Sequence, residues 1–126
     1  MQTILIVDDS ATMRKMVRAS LQTLPDAAFV EASTGLEAIE QLAVSPVRLI
    51  VLDLNMPDMH GIDVLKFVRR HQRYTAVPVV VLTTRGDEAS RTAARQAGAT
   101  RYVTKPFAPQ ALAAAVQTLL GSADAA

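Results

Sequence analysis

Two adjacent carboxylates, Asp8 and Asp9, a third at Asp53, a hydroxyl at Thr83 and an ammonium at Lys105 each stand at the end of a short, mostly apolar run: "ILIV", "LIVL", "VPVVVL" and "YVT" respectively. If those runs lie side by side as strands, residues nearly a hundred positions apart meet at one rim. Three carboxylates gathered there repel one another and raise their own pKa values unless a cation sits among them. Hard oxygen donors favour Mg²⁺, which keeps several waters and takes one or two carboxylates plus phosphate oxygens; Mn²⁺ suits the same donors. Lys105 can balance the charge of a phosphoryl group and Thr83 can donate a hydrogen bond to it. The set therefore points to phosphoryl chemistry on a carboxylate nucleophile. Taken singly, each residue has a plainer reading: Asp8 and Asp9 as caps of a first helix, Asp53 as an acidic loop residue, Lys105 as a solvated charge. Their combination outweighs those readings.

The elements that must position these groups alternate in period. "TILIV" (3–7), "AAFVEA" (27–32), "RLIVL" (48–52), "VPVVVLT" (77–83) and "RYVT" (101–104) are short and rich in β-branched residues, as strands covered on both faces are. Between them run helical spacings. Met13, Met16, Val17, Leu21 and Leu24 make one apolar stripe, which places the methionines in the core. Thr34 and Glu37 form a capping box ahead of Leu36, Ile39 and Leu42. Ile62, Leu65 and Val68 pattern a helix over 61–70, and Leu112, Val116, Leu119 and Leu120 one over 108–120. An alanine-rich helix over 87–96 is stopped by Gly98. Strict βα alternation implies parallel strands with right-handed helical crossovers. In such open sheets, ligands bind beyond the carboxyl ends of the strands.

Composition limits the alternatives. At 126 residues and half hydrophobic, the chain fits one domain, with "GSADAA" (121–126) as a short flexible tail and no output domain. Thirteen basic and twelve acidic residues leave a charge of +1, with no like-charge run that suggests nucleic acid or a polybasic anchor. The absence of cysteine excludes disulfides and thiolate metal sites. Apolar runs are too short to cross a bilayer and no signal peptide is visible, so a cytoplasmic location is expected. No glycine-rich turn follows the first strand, which removes support for a P-loop or dinucleotide site.

"ILIVDDS", "LIVLDLNMPDMHG", "VPVVVLTT" and "YVTKPF", in that order and at that spacing, resemble the receiver domain of two-component response regulators over residues 2 to about 120. The resemblance implies a single flavodoxin-like (βα)5 domain, an α/β doubly wound fold with five parallel strands in the order 2-1-3-4-5. It implies that Asp53 is the phosphoacceptor, that Asp8, Asp9, Asp53 and the backbone carbonyl of Asn55 hold Mg²⁺ or Mn²⁺, and that Thr83 and Lys105 assist. It further implies a switch pair, Thr83 and Tyr102, and a cis Lys105–Pro106 bond. The partners implied are a histidine kinase, a downstream target protein and a phosphatase.

"DDSATMRKMVRASL" and the lone domain are most similar to the chemotaxis-type regulators, whose target is a flagellar motor switch protein. Stand-alone receivers also act as phosphate sinks, phosphorelay shuttles and regulators of pilus motility, and pseudo-receivers bind partners without phosphorylation. On this reading the chain is a signalling protein whose only chemistry is its own phosphorylation and dephosphorylation. A haloacid-dehalogenase-like phosphatase would need an acid two residues after its nucleophile, where this chain has Asn55. Thr84 is bulkier than the small residue usual in the family, and Asn55 and Arg85 sit where the family tunes phosphoaspartate lifetime. His60 and His71 lack a third ligand and are expected to be exposed. Arg14, Lys15 and Arg18 read as a solvated face, with docking of an acidic kinase surface as the alternative.

Overall fold

The computed structural model describes residues 2–56 and 61–125, with side chains up to Gly121. His60, expected to be exposed, lies outside the described residues. Ten elements alternate along the chain: β1 (Gln2–Val7), α1 (Ala11–Leu21), β2 (Ala27–Ala32), α2 (Gly35–Val44), β3 (Val47–Asp53), α3 (Gly61–Arg70), β4 (Val79–Thr83), α4 (Glu88–Ala97), β5 (Arg101–Thr104) and α5 (Pro109–Ala125). All neighbouring strands pair in parallel, in the order β2-β1-β3-β4-β5. This is the flavodoxin-like doubly wound arrangement that the resemblance implied.

The central strands carry unbroken apolar runs, over 4–7, 49–52 and 79–82, because both faces of the sheet are covered. Alternate residues point to opposite sides. Ile4, Ile6, Leu49, Val51, Val80 and Leu82 pack with Val17 and Leu21 of α1 and Leu112 and Val116 of α5. Leu5, Val7, Ile50, Leu52, Val79 and Val81 pack on the other side with Ala38 and Leu42 of α2 and Val64, Leu65 and Val68 of α3. Two apolar layers enclosing one rigid sheet are what hold the ends of β1, β3, β4 and β5 in register.

Local chemistry starts and stops the helices. Ser10, rather than Asp8 or Asp9, is the N-cap of α1, its side chain accepting from Met13 N. Thr34 caps α2 by accepting from Glu37 N, while the Glu37 carboxylate reaches back to Ser33 N, one residue earlier than a standard capping box. Asp87 caps α4, whose end is Gly98 at φ 111, the left-handed conformation glycine adopts without strain. At the C-terminus of α2, where carbonyls lack helical partners, the buried Tyr74 hydroxyl donates to Leu42 O at 3.0 Å. Replacing Tyr74 by Phe should cost about 1 kcal/mol, because the carbonyl stays and its donor goes. Urea unfolding of the two proteins checks this; equal midpoints would mean water replaces the phenol.

Three expectations are corrected. Met16 is 51 % exposed and Leu36 58 %. Met16 lies about 100° around its helix from Val17, and Leu36 about 200° from Ala38, so each falls outside the seam that meets the sheet. Arg14 and Arg18 are not merely solvated: both guanidiniums pair with Glu31 of β2, at 2.9 and 3.0 Å. Finally, helical backbone continues through Ala125 rather than ending at Leu120.

Candidate functional site

Strand register assembles the site. Val7 is level with Leu52, Asp53 with Leu82, and Thr83 with Thr104. Asp8, Asp53, Thr83 and Lys105 therefore emerge within two residues of one another across the carboxyl edge of four strands. β2, the edge strand, ends in Ala32 and sends no charged group there.

Asp8 and Asp53 are each 3 % exposed and Thr83 is 1 % exposed, while Asp9 faces solvent. Carboxylate oxygens of Asp8, Asp9 and Asp53 lie within 4.8 Å of one another, close enough to share one metal ion. Lys105 Nζ stands 3.0 Å from Asp8 Oδ2 and 3.5 Å from Asp53 Oδ1. Asp53 Oδ1 also accepts from Asn55 N at 3.0 Å. Burial pushes the Asp53 pKa up, and the nearby Asp8 charge adds to this; the Asn55 N–H and Lys105 pull the other way without reversing it. A cation among the three carboxylates would relieve the same strain on charge, and an all-oxygen donor set suits a hard divalent ion.

Asp8 is held from two sides, through Ser10 N on its Oδ1 at 2.9 Å and through Arg14 Nη1 on its backbone carbonyl at 2.7 Å. Arg14 is thus a support of the acidic cluster that its helical spacing alone does not reveal. The one sequence signal was position: Arg14 sits one turn beyond the cap, pointing back over the end of β1.

Thr83 Oγ1 accepts from Arg85 N and from Asn55 Nδ2, both at 3.2 Å, and the same Asn55 nitrogen is 3.4 Å from Thr84 Oγ1. Asn55 enters the cluster through its side chain as well as its backbone. Tyr102 is half-buried beside this loop, its hydroxyl donating to the Arg85 carbonyl and its ring lying 5.0 Å under the Arg91 guanidinium. Burial and then Asp87 raise the pKa of its phenol. The Lys105–Pro106 bond is cis. Arg85 is exposed, 3.7 Å from Asp87, and the exposed His71 stacks on Tyr74 after α3, with no second histidine among the described residues. No helix of the described chain is long and apolar enough to cross a membrane.

The response regulator receiver domain family matches residues 4–117. The chemotaxis protein CheY1 of Helicobacter pylori is 38 % identical over 122 residues, covering 96 % of this chain and 98 % of the relative. Among solved structures, chemotaxis protein CheY4 of Vibrio cholerae superposes with a TM-score of 0.87 at 33 % identity, covering 94 % of this chain and 98 % of that one. The Mn²⁺-bound form of the response regulator Rcp1 superposes at 0.79 with 31 % identity, covering 94 % and 91 %. With a family match over nearly its whole length and the fold to go with it, this chain belongs to the response regulator receiver domains of two-component signalling.

Proposed function

We propose that this receiver accepts a phosphoryl group from a histidine kinase onto Asp53 and signals by phosphorylation-dependent protein binding in chemotaxis or a related motility pathway. The observation that carries this reading is the convergence of Asp8, Asp9, Asp53, Thr83 and Lys105 at one sheet edge. A strand end holds the nucleophile with a precision that a loop lacks. An Asp53 carboxylate oxygen attacks phosphorus in line, the bond from phosphorus to the kinase imidazole breaks, and the imidazole leaves with that electron pair. Lys105 neutralises charge on the transferred group and the Thr83 hydroxyl donates to one of its oxygens. Asp8, Asp9, Asp53 and the Asn55 carbonyl would hold Mg²⁺ or Mn²⁺, which when bound neutralises phosphoryl oxygens; the gathered carboxylates support these ligands, and the Mn²⁺-bound form of Rcp1 supports a divalent ion.

Attack of water on phosphorus then breaks the Asp53–phosphoryl bond and resets the domain. In the phosphorylated state Thr83 moves toward the new oxygens, the loop after β4 follows, and Tyr102 transmits the change to the face of α4, β5 and α5. A bond made in only one state is what shifts the equilibrium. The chemotaxis relatives support a kinase of that pathway as donor and a flagellar switch component as target, with a phosphatase as a further partner. A sink or shuttle role would keep the chemistry and lose that target.

Intact-protein mass spectrometry after incubation with acetyl phosphate and Mg²⁺ tests the chemistry. A labile gain of one phosphoryl group is expected, absent with chelator and absent from the Asp53→Asn variant. Failure to gain it from either acetyl phosphate or a phosphorylated kinase domain would make the protein a phosphorylation-independent adaptor. Steady hydrolysis of p-nitrophenyl phosphate would make it a phosphatase.

A further inference from the structure

Asn55 bonds both Asp53 and the Thr83 hydroxyl: its backbone N–H donates to Asp53 Oδ1 at 3.0 Å and its side-chain nitrogen to Thr83 Oγ1 at 3.2 Å. A hydroxyl oxygen accepts at two lone pairs and donates one proton. Both acceptor positions of Thr83 are filled, one by Asn55 and one by Arg85 N. Thr83 is buried at 1 % exposure, so it cannot move away from Asn55 without giving up a donor that water does not readily replace. The Asn55 amide nitrogen also donates to a second acceptor, Thr84 Oγ1, at the longer distance of 3.4 Å, on an exposed residue beside Thr83.

From this arrangement we infer that the Asn55 side chain is a latch on the Thr83 hydroxyl, and that Thr84, held only at 3.4 Å in the resting protein, is the seat onto which the amide tightens when Thr83 moves toward an occupied Asp53. The inference rests on the phosphoryl-acceptor reading of Asp53. Asn55 and Thr84 are positioning residues in it, acting through Thr83 and not on phosphorus. Their signs are opposite. Removing the latch (Asn55→Ala) frees Thr83 and favours the moved state. Removing the second seat (Thr84→Val, which keeps the shape and loses the hydroxyl) leaves the released amide without its acceptor and disfavours that state. With the latch already gone, the seat has nothing to receive, so Thr84→Val should be silent in the Asn55→Ala background. Residues sharing one hydrogen-bond network are expected to show such non-additivity.

The test is half-saturation by beryllofluoride with Mg²⁺, followed by the ¹³C-methyl resonance of Thr83, in the wild type, both single variants and the double variant. We expect half-saturation to fall about threefold in Asn55→Ala, to rise about threefold in Thr84→Val, and to be equal in Asn55→Ala with and without the second change. Without metal or beryllofluoride, the Thr83 methyl resonance should already move in Asn55→Ala, since the latch is present in the resting protein. Same-sign or additive effects in a chain whose wild type saturates would overturn the latch and leave the acceptor chemistry standing. No saturation in the wild type would remove the acceptor reading itself, and the latch with it. Both substitutions fall on exposed residues, and matched thermal melts confirm that the fold is intact.

Discussion

Gly61→Ala should be the most damaging single methyl that can be added to this protein, costing about 3 kcal/mol and lowering the melting temperature by about 10 °C. A Cβ at Gly61 would stand 2.3 Å from the carbonyl oxygen of Asp53 and 2.5 Å from Leu54 Cα. Both obstacles are backbone, so no side chain can swing aside. Gly61 opens α3 directly over the end of β3, and its N–H donates to Leu54 O at 3.2 Å, which ties the helix start to the strand that carries Asp53. The methyl must therefore push the helix off the strand or push Asp53 out of place. Either movement reaches the site, so phosphoryl uptake from acetyl phosphate should slow as stability falls. Gly121→Ala is the matching control: nothing lies within 4 Å of its Cβ, and alanine should stabilise α5 there by a few tenths to about 1 kcal/mol. Thermal melts of the two variants check the pair. Equal midpoints would show that α3 can rise off β3 at little cost.

Gly61 also marks where sequence reading stops. As a glycine at a helix start its type was visible, but close approach to Asp53 O is a property of how α3 returns across the sheet. What was legible depended on chemistry of short range or strict period. The apolar runs fix strand positions because burial on both faces leaves no polar residue in them, and Asp53 stands out for the same reason. Capping at Thr34 and the stop at Gly98 are local and were readable, although the Glu37 carboxylate reaches Ser33 N, one residue before the cap, and Asp87, counted inside the helix by its pattern, is its N-cap. Met16 and Leu36 were misplaced because hydrophobicity marks a stripe wider than the seam that is actually covered. Residues that act across elements left no local trace: Arg14 reaching the Asp8 carbonyl, Glu31 gathering two arginines, and the Asn55 side chain spanning β3 and β4.

Replacing Asp53 by Asn should abolish phosphoryl uptake and at the same time make the protein more stable at neutral pH. The Asp53 carboxyl titrates above its ordinary value of 3.8, chiefly because burial penalises the charge and because Asp8 lies alongside. An unfolded chain would ionise it near 3.8, so between that pH and the raised folded value the folded protein holds more protons than the unfolded one. Stability attributable to this group therefore falls as pH rises through that window and stays reduced above it. An amide carries no charge to desolvate. It can still accept from Asn55 N, and Lys105 keeps Asp8 at 3.0 Å. The advantage of Asp53→Asn should thus be full at pH 7.5, shrink through the acidic window and vanish below about 3.8, the ordinary carboxyl value. A gain of ~1 kcal/mol would read as about 4 °C in melting temperature. Mg²⁺ should narrow the difference by stabilising the wild type more than the variant, since a ligand that binds only the folded state raises its stability in proportion to affinity. A lower melting temperature for Asp53→Asn at pH 7.5 without metal would mean that the Lys105 pairing outweighs burial. The acidic rim would then be a source of stability, whereas the raised Asp53 pKa describes a site that gives up stability to keep a nucleophile charged and within reach of phosphorus.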